Sequence, residues 1–358
     1  MQNWRDKLIL SAVTIISTLI LWWMAGMGTI YRNFDGPYYI AVAKTWYDKA
    51  ALGGQFSFNL PLEYYPAHFP LYPLFISVLS NMGINHMQAM VGINLVAAVL
   101  LALTIYSIAQ KSGWKNPFWI ALATMFFWPR MLAVRSVGSP ETLFMLTTAV
   151  SLYFFDKGKY FPAAIAGSLA ILTKSPGVLL IPTFVLLWIK EAKEKKKLNF
   201  SAWPILLMGG TLIGLFYFYF LKTGDFWAYF HTGDNIHLGI LPFRVFDSSQ
   251  SWVGSFWLED VIFVYLLGGL GVFYALKKNK TWGLFGAVYY LSLLFVSHRD
   301  ISRYSLPLIP IILMGVSDLW NRKEIRWATV LIIIPILFYS LNFIRNNTLS
   351  IADWAPLL

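Results

Sequence analysis

The chain has no cysteine, and only 13% of its 358 residues are charged. Without cysteine there are no disulfides, no thiolate nucleophile and no thiolate-ligated metal. A soluble domain of this length carries about twice that charged fraction. No low-complexity tract, clear internal repeat or stretch of soluble-domain composition interrupts the sequence. The first apolar run, Leu8–Ile30, holds no charge and is followed by no small-residue cleavage site, so it is expected to stay as a membrane span.

What fills the chain instead is apolar surface: 58% of residues are hydrophobic and the mean hydropathy is +0.59. This predicts an all-α, polytopic integral membrane protein, residues 1–358 forming one transmembrane domain with no separate soluble domain. Further spans read at Met87–Gln110, Pro117–Pro129, Pro140–Phe155, Tyr160–Thr173, Pro176–Ile189, Ser201–Leu221, Val261–Leu276, Trp282–Ser297, Tyr304–Val316 and Ala328–Phe343. With the first run this makes about eleven helices, several shorter than the roughly 20 residues of a straight crossing. The apolar segment His68–Met82 opens with Pro70 and Pro73 and reads as a re-entrant or surface helix.

On that count the positive-inside rule orients the chain with a cytoplasmic N-terminus. The inner segments then hold 17 of the 28 basic residues and 6 of the 17 acids, so they carry the whole net charge of +11. The charge is a topology signal, and nucleic acid is not needed as a partner. The lysine-rich run Glu191–Lys197 reads as a solvated loop touching anionic lipid headgroups. All five histidines and the two long connections, 31–86 with its amphipathic helices and 222–260, fall outside. The outer side therefore collects the residues capable of chemistry.

Asp35 lies where the first run leaves the membrane, in Tyr31-Arg32-Asn33-Phe34-Asp35-Gly36-Pro37-Tyr38-Tyr39. It is either a helix cap before Gly-Pro or a general base for a hydroxyl. Lys174, in a tight turn between two apolar runs, either binds a phosphate or snorkels to the interface. Arg299 and Arg303 are four residues apart, so on a helix they share a face suited to a phosphate or carboxylate. The alternative for Arg299 is a surface pair with Asp300. Around the turn Pro129–Pro140, Glu141 is either a helix-start charge or the holder of an arginine, and Arg130, Arg135 and Ser139 stand beside it. His231, Asp234 and His237 have a spacing that could hold Zn²⁺ or Mn²⁺, but a solvated polar loop rich in turn formers explains it better. Of the many outer aromatics, most belong to an interfacial belt and a few could stack on sugar faces.

The ordered motifs resemble those of the GT-C glycosyltransferases, membrane enzymes that take sugars from polyprenyl phosphates. NFDGPYYIAVAKTWYD, HFPLYPLFI (His68–Ile76) and SPETLF (Ser139–Phe144) resemble segments of the GPI mannosyltransferase II-like branch. LTKSPGVLLIP and SRYSLPLIP resemble elements of the protein O-mannosyl- and aminoarabinose-transferases. Phe34 stands where the first branch has Trp, and no histidine or second Asp pair follows Asp35.

The resemblance implies a hexosyl transfer, mannose among the possible sugars, to a glycan, lipid or protein acceptor at the outer face of the plasma membrane. Asp35 takes the family's catalytic aspartate position, and Lys174 and Arg303, joined by Arg299, those of the phosphate-contacting cations. His68, Glu63, Tyr39, Arg135, Glu141 and Tyr304 are the candidates for substrate binding or for supporting the site. Fixed cations suffice to neutralise a lipid-phosphate leaving group, so no cofactor is required and a divalent metal is optional. The rival readings are a transporter or lipid-linked glycan flippase, and a sugar ligase or polymerase of related architecture.

Overall fold

The computed structural model describes residues 2–33, 35–58, 60–233, 237–250 and 257–358. The leading apolar run becomes α1 (Gln2–Ala25), which Gly26 ends with a left-handed φ of 82°. A short α2 (Met27–Tyr31) follows. Then comes α3 (Gly36–Thr45), whose Pro37 sits in the first turn, where its missing N–H costs nothing. The first long connection continues through α4 (Lys49–Gln55), capped by the Asp48 side chain, a 3₁₀ turn at Leu62–Ala67 and α5 (Leu71–Asn81).

The next helices are α6 (His86–Lys111), α7 (Pro117–Phe126), α8 (Pro129–Val134), α9 (Glu141–Asp156) and α10 (Tyr160–Thr173). They are followed by α11 (Leu180–Lys195), α12 (Leu207–Thr223), α13 (Trp257–Lys278) and α14 (Lys280–Leu294). The chain closes with α15 (Ile301–Tyr304), α16 (Ile309–Gly315), α17 (Lys323–Leu331) and α18 (Ile333–Asn346). Among the described residues there is no strand, only isolated bridges between Asn33 and Thr348 and between Leu238 and Val296.

By length and composition, six helical segments are able to cross a membrane: Asn3–Ala25, His86–Lys111, Ser175–Lys195, Phe200–Thr223, Glu259–Lys278 and Lys323–Asn346. Others expected from the apolar pattern are shorter, and proline accounts for part of this. The Tyr304–Val316 run is split by Pro307 and Pro310 into α15, a 3₁₀ turn and α16. The doubtful segment His68–Met82 yields only the 11 residues of α5, about 16 Å long, packed on α3 and α6.

The helices separate two kinds of end. At one, Lys115 and Lys278 flank Asp318 at 2.6 and 2.7 Å, Asn279 donates to Asp156 at 2.9 Å, and Gln110 donates to Asn3 at 2.7 Å. These contacts gather the connections that the charge count assigned to one side. The other end lies one helix length away, about 24 Å along the 16 residues of α9, where Glu141 begins.

Close packing fixes the turns at that second end. Buried Asn94 on α6 donates to the Val134 and Val137 carbonyls at 2.9 and 2.5 Å and accepts from Thr142 on α9. The 3₁₀ turn Ser175–Leu179, just after Lys174, presses Gly177 onto the backbone of α10, where a Cβ would stand 2.6 Å from Ala170 and Ile171 atoms. Gly177→Ala must push that turn outward. Its expected cost is about 1–3 kcal/mol, read as a lower melting temperature in detergent; an unchanged melting temperature would show that the turn does not depend on this contact.

Candidate active site

Asp35, Glu141, Lys174 and Arg303 come from separate segments and meet at this end. Asp35 occupies the N-cap position of α3, yet its side chain makes no capping hydrogen bond. Its Oδ2 instead accepts from Nη1 and Nη2 of Arg303, each at 3.4 Å. Arg303 Nε donates to Glu141 Oε1 at 2.6 Å, and the same oxygen accepts from Lys174 Nζ. Ser139 donates to the other oxygen of Glu141. A guanidinium thus bridges two carboxylates, and one carboxylate oxygen holds two cations.

Exposure grades the cluster from floor to mouth. The side chains of Glu141, Arg303, Lys174 and Asp35 are 1, 8, 18 and 34% exposed. A buried carboxylate survives only with such partners, since stripping a buried pair of one member costs about 3–5 kcal/mol. Lys174 also sits 5.3 Å above the ring of Tyr304, whose carbonyl accepts from the Tyr289 hydroxyl at 2.8 Å. Two cations beside two carboxylates, one of them accessible, can bind an anion and accept a proton at neighbouring atoms.

The segment carrying Asp35 is clipped to the end of α18. Asn33, fully buried, donates to the Ile344 carbonyl at 2.6 Å, and Leu349 N donates to the Arg32 carbonyl at 2.8 Å. Sequence reading missed this clip, because more than 300 residues separate its partners.

Other expected residues are distributed differently. The Tyr39 ring meets His68 edge-on at 4.8 Å and Tyr72 at 5.1 Å. His68 is buried, and its Nδ1 has no hydrogen-bond partner among the described residues. Glu63 is 57% exposed and pairs with Lys49 at 3.2 Å, apart from the cluster's ion pairs. Arg135 is fully buried and spends its donors on Thr14, Ser17 and Thr18 of α1 and on the Met125 carbonyl. It joins α1 to the turn after α8 rather than touching Glu141.

Arg299 and Arg303 do not share a helical face. Asp300 is the N-cap of α15, so Arg299 precedes the helix and is exposed. Asp300 pairs with Arg130 at 3.1 Å instead of Arg299, and the Arg130 guanidinium lies 3.8 Å from the Phe343 ring centroid. Burial alone would raise the Asp300 carboxyl, but Arg130 and then Arg303 outweigh it and hold the group below its usual range. His231 bonds Asp225 at 2.6 Å, His237 stacks on His298, and Asp234 lies outside the described residues. Among the described residues no group of three His, Asp or Glu side chains is placed to hold a metal ion.

No protein-family model and no curated protein matches the sequence. Among solved structures, the crystal structure of ArnT from Cupriavidus metallidurans bound to undecaprenyl phosphate matches 89% of this chain with a TM-score of 0.57 at 14% identity. The chain spans 63% of the length of that protein. The likeness shows the fold alone: the helices of this chain are arranged as in that protein.

A short antiparallel pairing borders the cluster: Gly239 N donates to Phe295 O, Ser297 N to His237 O and Phe243 N to Leu294 O, all at 2.7 Å. It stacks the rings of His237 and His298 at 3.9 Å, with Tyr304 5.5 Å from His298. Burial first, and the neighbouring His237 next, push His298 from its ordinary 6.5 down to about 4. The unfolded chain therefore binds this proton before the folded one does, and stability falls as pH drops from 6.5 toward 4. Melting temperatures measured across that range should decline less steeply in His298→Asn than in the wild type; identical slopes would remove His298 as the source.

Proposed function

We propose that this chain is an inverting glycosyltransferase that moves a hexose from a polyprenyl-phosphate donor to an acceptor hydroxyl at the outer face of the plasma membrane. The observation that carries this reading is the meeting of Asp35, Lys174 and Arg303 around buried Glu141, at one end of an ArnT-like fold.

The acceptor oxygen attacks the anomeric carbon from the side opposite the phosphate, and its proton passes to the Asp35 carboxylate. The bond between the anomeric carbon and the phosphate oxygen breaks, its electron pair remaining on that oxygen. The transition state is oxocarbenium-like, as in glycoside hydrolysis. Lys174 and Arg303 neutralise the charge that grows on the leaving phosphate, and Glu141 holds both in place. A fixed pair of cations does this without a metal. Arg299, exposed just before α15, meets the phosphate as it arrives. Tyr304, beneath the Lys174 ammonium, faces the sugar and the acceptor, while Tyr39 and His68, buried edge-on against each other, support the site from behind and Arg135 supports the turn before Glu141.

The orientation follows from the lysine-rich end being cytoplasmic. The chain lacks cysteine, so single engineered cysteines report it cleanly. With an impermeant thiol reagent applied to intact cells, Glu63→Cys should label and Lys195→Cys should not; the reverse pattern would place the cluster on the inner face.

Catalysis is tested in proteoliposomes supplied with labelled polyprenyl-phosphate hexoses and a membrane extract as acceptor. Asp35→Asn should slow sugar transfer by about 10²–10⁴-fold. Equal transfer by wild type and variant would remove Asp35 as the base.

A further inference from the structure

Arg303 holds its two carboxylates unequally. Nε is bonded to Glu141 at 2.6 Å, while Nη1 and Nη2 reach Asp35 at 3.4 Å each, both on the single oxygen Oδ2. A matched guanidinium–carboxylate fork uses two oxygens at about 2.7–2.9 Å. Asp35 therefore meets the two terminal nitrogens through one oxygen and at longer range than Glu141 holds Nε. Glu141 is 1% exposed and enclosed, whereas Asp35 is 34% exposed and able to leave.

We infer that Asp35 and the phosphate of the donor compete for the two terminal nitrogens of Arg303, so that donor binding is what releases the base. This rests on the glycosyltransferase reading above and adds an order of events to it. A phosphodiester offers two non-bridging oxygens spaced for the fork that Asp35 meets with one. Glu141 keeps Nε while the exchange happens, so the guanidinium does not have to move. Lys174, an ammonium with three donors, keeps its bond to Glu141 and offers another to the same phosphate.

Charge balance points the same way. Without donor, the carboxylates of Asp35 and Glu141 offset Lys174 and Arg303. The bound phosphodiester adds one negative charge and takes over the counter-ion of Asp35, which is then released to meet the acceptor hydroxyl. Transfer leaves a neutral Asp35 and a phosphate monoester dianion, so the total charge is unchanged. The base is thus masked until a sugar donor is present, and the donor binds before the acceptor is activated.

The test measures binding of polyprenyl phosphate without sugar, and of the neutral polyprenol, to protein in nanodiscs. Asp35→Asn and Asp35→Ala should each bind polyprenyl phosphate roughly two- to fivefold tighter than wild type, the range for releasing one partly exposed ion pair, with polyprenol unaffected. Glu141→Gln separates exchange from a general field effect. It also removes a negative charge next to Arg303, but it loosens the holder, so its affinity should stay level or weaken. Affinity unchanged or weaker in both Asp35 variants, an equal gain in Glu141→Gln, or no binding of polyprenyl phosphate by any of the proteins overturns the inference. The two readings fail separately. Continued sugar transfer by Asp35→Asn sinks the base assignment, whereas lost transfer without tighter phosphate binding sinks the exchange alone.

Discussion

The second end of the bundle depends on one buried carboxylate. Glu141 is enclosed by protein and would be intolerable there alone, yet its Oε1 collects both Lys174 and Arg303. Each of those cations arrives from a different part of the chain: Lys174 from the end of α10, Arg303 from the short α15. The requirement to neutralise Glu141 therefore sets where α9, α10 and α15 converge. Asp35 joins last and most loosely, through the outer nitrogens of Arg303.

That arrangement separates two jobs which a single ion pair would confuse. The deep contacts keep the guanidinium at a fixed position and orientation, while the shallow one meets its outer edge at longer range. A site with only the deep contacts would hold cations but have no accessible carboxylate. One with only the shallow contact would leave a flexible arginine whose place depends on what is bound. Backbone packing supports the deep part, through Gly177 against α10 and Asn94 across the turn before α9.

Much of this was legible in the sequence because it depends on composition and order. The apolar runs, the excess of lysine on one set of connections and the position of Asp35 after the first run each survive as architecture. Asp35, Lys174, Arg303 and Glu141 were all recognisable as costly charges beside apolar segments. What was not legible is pairing over long separations. Arg135 sits six residues from Glu141 but turns to the hydroxyls of α1, and Asp300 passes over its neighbour Arg299 for Arg130. The expected face shared by Arg299 and Arg303 needed a helix through both, and the helix starts only after Asp300. Span lengths misled for a related reason: hydropathy sees Tyr304–Val316 as continuous, but Pro307 and Pro310 break it.

The clip between Asn33 and the end of α18 sets the frame of reference for Asp35. Asp35 belongs to a connection, where backbone position is ordinarily soft. Its neighbours Arg32 and Asn33 are nevertheless bonded to Leu349 and Ile344, at the end of a segment long enough to cross the bilayer. The aspartate is thereby referenced to a membrane span rather than to the loop that carries it. Its depth along the bundle is inherited from α18, and that is the depth at which the lipid-borne phosphate of the proposed donor would have to meet it.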